Sequence, residues 1–109
     1  KKLKFIKQSR YTLSIKDISK HIPKANLIIN TTPKNPINFE NRKLVRKDTI
    51  LSDIVYKPKE TAFLKQFSNH KKIYGISMLI YQAAPCFNLW FGFKPSVDKE
   101  LINILNNKI

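Results

Sequence analysis

Glycine and cysteine are nearly absent from this sequence. Its 109 residues include two glycines, Gly75 and Gly92, which lie far apart. A loop that cradles phosphate groups needs several glycines within a short span, so this chain contains no such loop. Cys86 is the single cysteine, which excludes an internal disulfide and is typical of a protein from a reducing compartment. Its neighbours Pro85 and Phe87 favour a buried, unreactive thiol.

Acidic residues are also scarce, and the charge balance raises the question of an anionic partner. Seven Asp and Glu against 21 Lys and Arg give a net charge of +14, so a small basic nucleic-acid-binding module is one interpretation. The basic residues are almost all lysines scattered along the chain, without an RNP-like, zinc-finger or helix-turn-helix signature. We therefore favour a solvated lysine-rich surface and expect no nucleic-acid partner. His21 and His70 lack further ligands at metal-binding spacing, so we expect no metal site.

The longest segment without a charged residue runs from residue 73 to residue 93. By length alone it could span a bilayer. It contains Ser77, Gln82 and Asn88, and each of these polar groups would need a partner in lipid. A buried helix in a soluble protein is the better interpretation, and we expect no membrane span.

Apolar periodicity predicts alternating helices and strands. Short apolar runs predict strands at 25–30, 49–56 and 72–74, the first two buried on both faces. Helical spacing predicts helices at 15–22, 61–67 and 76–91, while residues 33–47 read as a loop and residues 1–7 as a helix or a strand. A last helix is predicted to begin at Ser96 as N-cap, with a core-facing stripe of Val97, Leu101, Ile104 and Leu105. This order predicts an α/β fold with a parallel sheet.

Polar or permissive residues follow each predicted strand, and the carboxyl edge of a parallel sheet is where ligands bind. Thr32 and Tyr56 follow the first two strands, and Gly75 follows the third. Met78 and Gln82 share a helical face with Gly75, and Pro85 predicts a bend nearby. Gly75 either makes a tight turn or lets a flat ligand approach the backbone. Gln82 is either a hydrogen-bonded core residue or an amide that binds ligand hydroxyls.

Three motifs in register resemble the shikimate dehydrogenase family from about residue 25 to the end. Residues 53–58 match its D-x-x-Y-x-P pattern, and residues 60–64 resemble the E-T-x-L-L that follows. Residues 75–92 resemble G-x-G-M-L-x-x-Q-A-A-x-x-F-x-x-W-x-G, and residues 28–32 resemble its I-N-A-T stretch. The resemblance implies the C-terminal half of a Rossmann-like nucleotide-binding domain plus closing helices, divided here into residues 1–74 and 75–109.

The same resemblance implies a function and a set of site residues. The reaction is the reversible, NADP-dependent reduction of 3-dehydroshikimate to shikimate, in the cytoplasm. Shikimate binding falls to Tyr56 and Gln82. Cofactor binding falls to Thr32, Ile54, Gly75 and Met78.

Two departures from the family pattern concern the cofactor. Ser77 replaces the second glycine of the long motif, and residues 33–36 replace the small residues that follow I-N-A-T. The family's catalytic Lys and Asp and its Gly-rich loop have no counterpart in this sequence, so we expect a C-terminal part that is inactive alone. The preference for NADP over NAD, the use of quinate and the oligomeric state stay open.

Overall fold

The structure, a computed structural model, describes residues 13–108 and contains a three-stranded parallel sheet. Its strands are β1 (Leu27–Asn30), β2 (Ile50–Asp53) and β3 (Lys72–Ile73), in the order β1-β2-β3. Leu27 pairs with Ile50, and Leu51 pairs with Lys72. The predicted α/β fold with parallel pairing is confirmed, while the prediction for residues 1–7 lies outside the described residues.

Five α-helices connect and follow the strands. Helix α1 (Ile18–His21) is a single turn between 3-10 turns at Ile15–Asp17 and Ile22–Lys24. The others are α2 (Phe39–Arg42), α3 (Ala62–Lys65), α4 (Gly75–Phe91) and α5 (Lys99–Asn107). Helix α4 ends at Gly92, whose left-handed φ of 75° and N–H bond to the Asn88 carbonyl close the last turn.

Two predicted elements differ from the structure in type or length. The segment predicted as a loop at 33–47 contains α2, which begins because the Asn38 side chain accepts a bond from the Asn41 N–H at 2.8 Å. The helix predicted at 61–67 is one turn, since the Phe67 N–H bonds to the Leu64 carbonyl three residues back. Its predicted apolar face is nevertheless buried, at Phe63, Leu64 and Phe67.

The predicted N-cap of the last helix is wrong. Asp98, not Ser96, caps α5, because its Oδ1 accepts a bond from the Leu101 N–H at 2.8 Å. Leu101 and Leu105 lie half-buried in a groove against α4, but Ile104 is 46% exposed and does not belong to the packed stripe.

The core lies on one side of the sheet. It is formed by seven buried apolar residues, Ile22, Ile37, Val45, Leu51, Phe63, Leu64 and Phe67. On β1, Leu27 and Ile29 are 49% and 51% exposed, and Ile73 on β3 is 41% exposed. The prediction that the first strand is buried on both faces is therefore wrong for the described residues, because nothing among them covers its second face.

Helix α4 is buried along a single stripe. Ile76, Ile80 and Ala84 are buried at a spacing of four residues, whereas Trp90 is 76% exposed. Cys86 is exposed on this helix, so the predicted buried thiol is wrong. None of the helices in residues 13–108 has the length and apolar character needed to cross a bilayer.

Candidate functional site

The last residues of β1 and β2 are buried polar residues that bond to each other. Asn30 and Asp53 are directly opposite in the strand register, and they are 4% and 1% exposed. The Asn30 amide Nδ2 donates to the Asp53 Oδ2 at 3.2 Å. Buried polar groups need such partners, and these two satisfy one another across the sheet.

Each of these two side chains also binds the backbone two residues further on. The Asn30 Oδ1 accepts bonds from the Thr32 N–H at 3.0 Å and from the Thr32 hydroxyl at 2.8 Å. The Asp53 Oδ1 accepts a bond from the Val55 N–H at 3.0 Å. These Asx-type turns end the strands, which explains why β2 stops at Asp53 rather than at residue 56.

Thr61 closes the loop that leaves β2. Its hydroxyl donates to the Asp53 Oδ2 at 2.6 Å and accepts a long bond from the Leu64 N–H at 3.4 Å, as the N-cap of α3. Residues 54–60, which carry Tyr56, therefore run between two side chains that are bonded to each other. This restricts the positions that the loop can adopt.

Gly75 brings the start of α4 against the same loop. A Cβ at this position would lie 2.6 Å from the carbonyl oxygens of Ile54 and Val55 and 2.8 Å from that of Asp53. A real Cβ atom does not lie this close to a carbonyl oxygen, so a side chain at position 75 would force the helix or the loop to move. The glycine thus permits close packing of the helix on the chain's own backbone, a role that neither of the two sequence interpretations contained.

Two contacts attach the end of the loop to β3 and the residue after it. The Lys72 Nζ lies 2.5 Å from the Glu60 Oε1, with the lysine side chain 12% exposed. The hydrogen bond and charge of Lys72 lower the pKa of the Glu60 carboxyl below its ordinary value of 4.5. The Lys59 ammonium lies 5.5 Å from the Tyr74 ring centroid.

The six residues assigned to substrate and cofactor differ in exposure. Tyr56 and Met78 are 43% and 44% exposed. Thr32 and Gln82 are exposed, Ile54 is half-buried, and Gly75 is buried. Because Gln82 is exposed, its interpretation as a hydrogen-bonded core residue is wrong.

The structure joins these residues through backbone and side-chain contacts. Gly75 packs directly on the carbonyl of Ile54, and Tyr56 lies two residues further along the loop. Thr32 is joined to this loop through the bonds of Asn30 and Asp53. Met78 and Gln82 follow on α4, about one and two turns beyond Gly75.

The sequence motifs assign no role to the three polar residues that hold the site together, although Asn30 stands out in the sequence as a polar residue at the end of its predicted strand. Asn30, Asp53 and Thr61 are each polar at the boundary of an apolar segment, and that position is the signal that could have revealed them. They line an open depression of about 410 Å³ beside the loop, together with Lys34 and Lys65. Within residues 13–108, no group of three or more His, Cys, Asp or Glu side chains could hold a metal.

Comparison with known proteins identifies relatives of this region. Residues 75–99 match the family described as the shikimate 5'-dehydrogenase C-terminal domain. A shikimate dehydrogenase (NADP(+)) from Methanococcus vannielii is 39% identical over 102 residues, which cover 84% of this chain and 36% of that protein. The chain thus spans little more than a third of that relative's length.

Solved structures of shikimate dehydrogenases are also similar to this chain. A shikimate dehydrogenase in complex with NADP+ has a TM-score of 0.61 and 32% identity, over 75% of this chain and 30% of that one. A shikimate 5-dehydrogenase from Thermus thermophilus, in complex with NADP(H) and shikimate, has a TM-score of 0.66 and 25% identity. The match to it covers 83% of this chain and 36% of that one.

Proposed function

We propose that the complete protein is an NADP-dependent shikimate dehydrogenase. It interconverts 3-dehydroshikimate and shikimate. The present chain belongs to the shikimate dehydrogenase family and matches its C-terminal region. In this proposal the present chain supplies one wall of the active site. Binding of the pyrophosphate depends on residues outside it, since the chain has no Gly-rich loop. Proton transfer does so as well, since the family's catalytic Lys and Asp have no counterpart in this sequence.

One observation carries the proposal: the close packing of Gly75 on the backbone of residues 53–55. Gly75 opens one family motif, and Asp53 opens another. Their contact unites two sequence segments that resemble the family independently. This contact supports the proposal that the residues assigned to substrate and cofactor form one site.

Substrate binding is assigned to Tyr56 and Gln82. Both side chains are exposed, so both are free to meet a ligand. A phenol donates one hydrogen bond and accepts another, and a primary amide donates and accepts as well. These are the groups that a polyhydroxylated carboxylate such as shikimate requires for recognition.

Cofactor binding is assigned to Thr32, Ile54, Gly75 and Met78. The half-buried Ile54 and the partly exposed Met78 provide the apolar surface that a flat nicotinamide ring packs against. When bound, NADP supplies the hydride exchanged with the substrate, and the protein supplies orientation. Ser77, which replaces the family's second glycine, is half-buried and directly precedes Met78. We expect it to change the orientation of the nicotinamide ring.

The partners follow from this assignment. They are the small molecules NADP and shikimate or 3-dehydroshikimate. The relatives carry NADP and shikimate in their names and structures. The complete protein acts in the cytoplasm in this proposal, where a single unpaired cysteine is ordinary.

The test is made on the complete protein with shikimate and NADP+. In Tyr56→Phe and Gln82→Ala we expect the KM for shikimate to rise about tenfold or more, with the KM for NADP+ nearly unchanged. Tyr81→Phe is the matched control, since Tyr81 precedes Gln82, is 64% exposed and has no assigned role. A wild-type protein without shikimate-dependent NADP+ reduction would refute the function. Wild-type kinetics in both variants would refute the site.

A further inference from the structure

We propose that Asn30 and Asp53 form a positioning unit that fixes the loop of Thr32 and the loop of Tyr56 relative to each other. The inference rests on the proposed function, because Thr32 lies on the cofactor side and Tyr56 on the substrate side. Neither Asn30 nor Asp53 is assigned a ligand. They act through the loops that they hold.

The unit has a symmetrical construction. The two residues end adjacent strands at the same level of the sheet, and each binds the backbone N–H two residues further on. The bond from the Asn30 Nδ2 to the Asp53 Oδ2 joins the two turns. A displacement of one turn is therefore transmitted to the other.

The hydrogen bonds require a carboxylate at position 53. Asp53 accepts bonds from the side chains of Asn30 and Thr61 and from the backbone N–H of Val55. None of the ion pairs found within residues 13–108 includes Asp53. Its function here is acceptance of hydrogen bonds from neutral donors, and a carboxylate is the side chain with acceptors only.

An amide at this position would set a donor against a donor. In Asp53→Asn, an NH2 group pointing towards Asn30 would force the Asn30 amide to turn, which removes the Asn30 Oδ1 from the Thr32 N–H. If the new NH2 group points towards Val55, it faces the Val55 N–H instead. A buried donor without an acceptor is costly, and each orientation leaves one, so both orientations are populated and each of the two turns is open part of the time.

The construction makes a specific prediction about the cofactor side. Asp53 lies on β2, and Thr32 follows β1, yet the carboxylate of Asp53, together with the Lys34 carbonyl that accepts from the same Asn30 Nδ2 at 3.2 Å, holds the Asn30 amide in the orientation that binds Thr32. Removing the carboxylate should therefore loosen Thr32 as well as Val55. A side chain that only stabilised its own strand would leave Thr32 unchanged.

The experiment compares Asp53→Asn with the wild type in the complete protein, first without ligands. We expect amide hydrogen exchange at both Thr32 and Val55 to accelerate about tenfold or more. We also expect the Kd for NADP+, measured by calorimetry, and the KM for shikimate each to rise about tenfold or more, because both loops lose their positions. Asp48→Asn is the control, since Asp48 is paired with Arg46 just before β2, at the opposite end of that strand.

The reciprocal exchange tests the pair itself. The variant that combines Asn30→Asp with Asp53→Asn restores one donor and one acceptor between the two side chains. Asn30→Asp also loses the bond from the Asn30 Nδ2 to the Lys34 carbonyl, so the double variant is compared with the sum of the two single variants. We expect it to lose less NADP+ affinity than that sum, and a loss equal to the sum or greater would count against the pair.

The outcomes separate this inference from the function on which it rests. Unchanged exchange at Thr32 in Asp53→Asn overturns the unit, whatever the change in stability. An inactive wild type overturns the proposed function, while the exchange measurement still decides the inference.

If Asp53→Asn does not fold, Thr61→Val and Thr61→Ser replace it. The Ser variant keeps the hydroxyl and should retain the KM for shikimate, and an equal KM in both variants overturns the inference.

Discussion

The absence of a Cβ atom at Gly75 determines how closely α4 packs against the loop that follows β2. The three carbonyl oxygens nearest to its missing Cβ belong to Asp53, Ile54 and Val55. Backbone atoms cannot move aside as a flexible side chain can. The start of α4 therefore approaches the Tyr56 loop this closely only with glycine at position 75.

Gly75→Ala should therefore be strongly destabilising. We expect the free energy of unfolding of the complete protein, measured by denaturant titration, to fall by about 3 kcal/mol, as for an overpacked contact. Gly92→Ala is the comparison, because a Cβ at Gly92 meets no atom within 4 Å and is disfavoured only by the φ of 75°. That costs about 1 kcal/mol. A smaller loss for Gly75→Ala than for Gly92→Ala would contradict the close contact.

At the scale of residues, the sequence indicates permissive and polar positions but not the atoms that surround them. Gly75 was identified as permissive, but the atoms it accommodates come from a segment far away in sequence. Gln82 and Cys86 are exposed, although the apolar run around them favoured burial. The exposure of a side chain depends on what packs against its helix, and local sequence does not contain that information.

At the scale of elements, helix α5 illustrates how a cap fixes the start of a helix. Both Ser96 and Asp98 are residue types that cap helices well. The structure uses Asp98, so α5 begins at Lys99, and Leu101 and Leu105 lie against α4. The two candidates therefore differ in where the helix begins, since Val97 is inside the helix with a Ser96 cap and before it with an Asp98 cap.

The assignment predicts different results for two similar substitutions. Asp98→Ala should lower the stability of α5 by about 1 kcal/mol, because the Leu101 N–H loses its acceptor. Ser96→Ala should change it by less than about 0.5 kcal/mol, as an exposed position without a capping bond. Amide hydrogen exchange along α5 measures both. A larger effect at Ser96 would restore the sequence-based assignment.

Some of the other elements could be predicted because their cause is local in sequence, and others could not because their cause is not. The strand runs and the long helix α4 were predictable because apolar periodicity is a property of the segment itself. The end of β2 was not, because it depends on the turn made by Asp53 rather than on the apolar Val55 and Tyr56. Helix α2 is absent from the sequence-based prediction because Asn38 is typical both of loops and of N-caps, and the structure uses it as an N-cap.

At the scale of the whole molecule, apolar exposure is unevenly distributed. The core fills one side of the sheet, while Leu27, Ile29 and Ile73 are exposed. Exposed apolar surface in a folded protein usually marks an interface. Because the chain spans about a third of its relatives' length, we expect other parts of the complete protein to cover this side of the sheet.

The division into residues 1–74 and 75–109 belongs to this scale and stays a prediction. Helix α4 begins at Gly75, directly after β3 and Tyr74. The packing of Gly75 on the β2 loop joins the two parts closely. Parallel order and fold class were predictable from the alternation of elements, whereas the side of the sheet that is covered depends on packing between segments distant in sequence.

Ile29→Lys distinguishes a covered side from a free one. In the 109-residue chain alone, Ile29 is 51% exposed, so a lysine there reaches water. We expect it to reduce both the binding of a hydrophobic dye and self-association. In the complete protein the same ammonium would be buried without a partner, and the free energy of unfolding should fall by about 3 kcal/mol or more.

Leu44→Lys provides the matched control for this comparison. Leu44 is 40% exposed and follows α2, next to the core residue Val45. Its substitution should have a similar, small effect on the short chain and on the complete protein. If Ile29→Lys were equally harmless in both, the side of the sheet that carries Leu27 and Ile29 would face solvent in the complete protein. The apolar residues there would then need a partner other than the rest of the same chain.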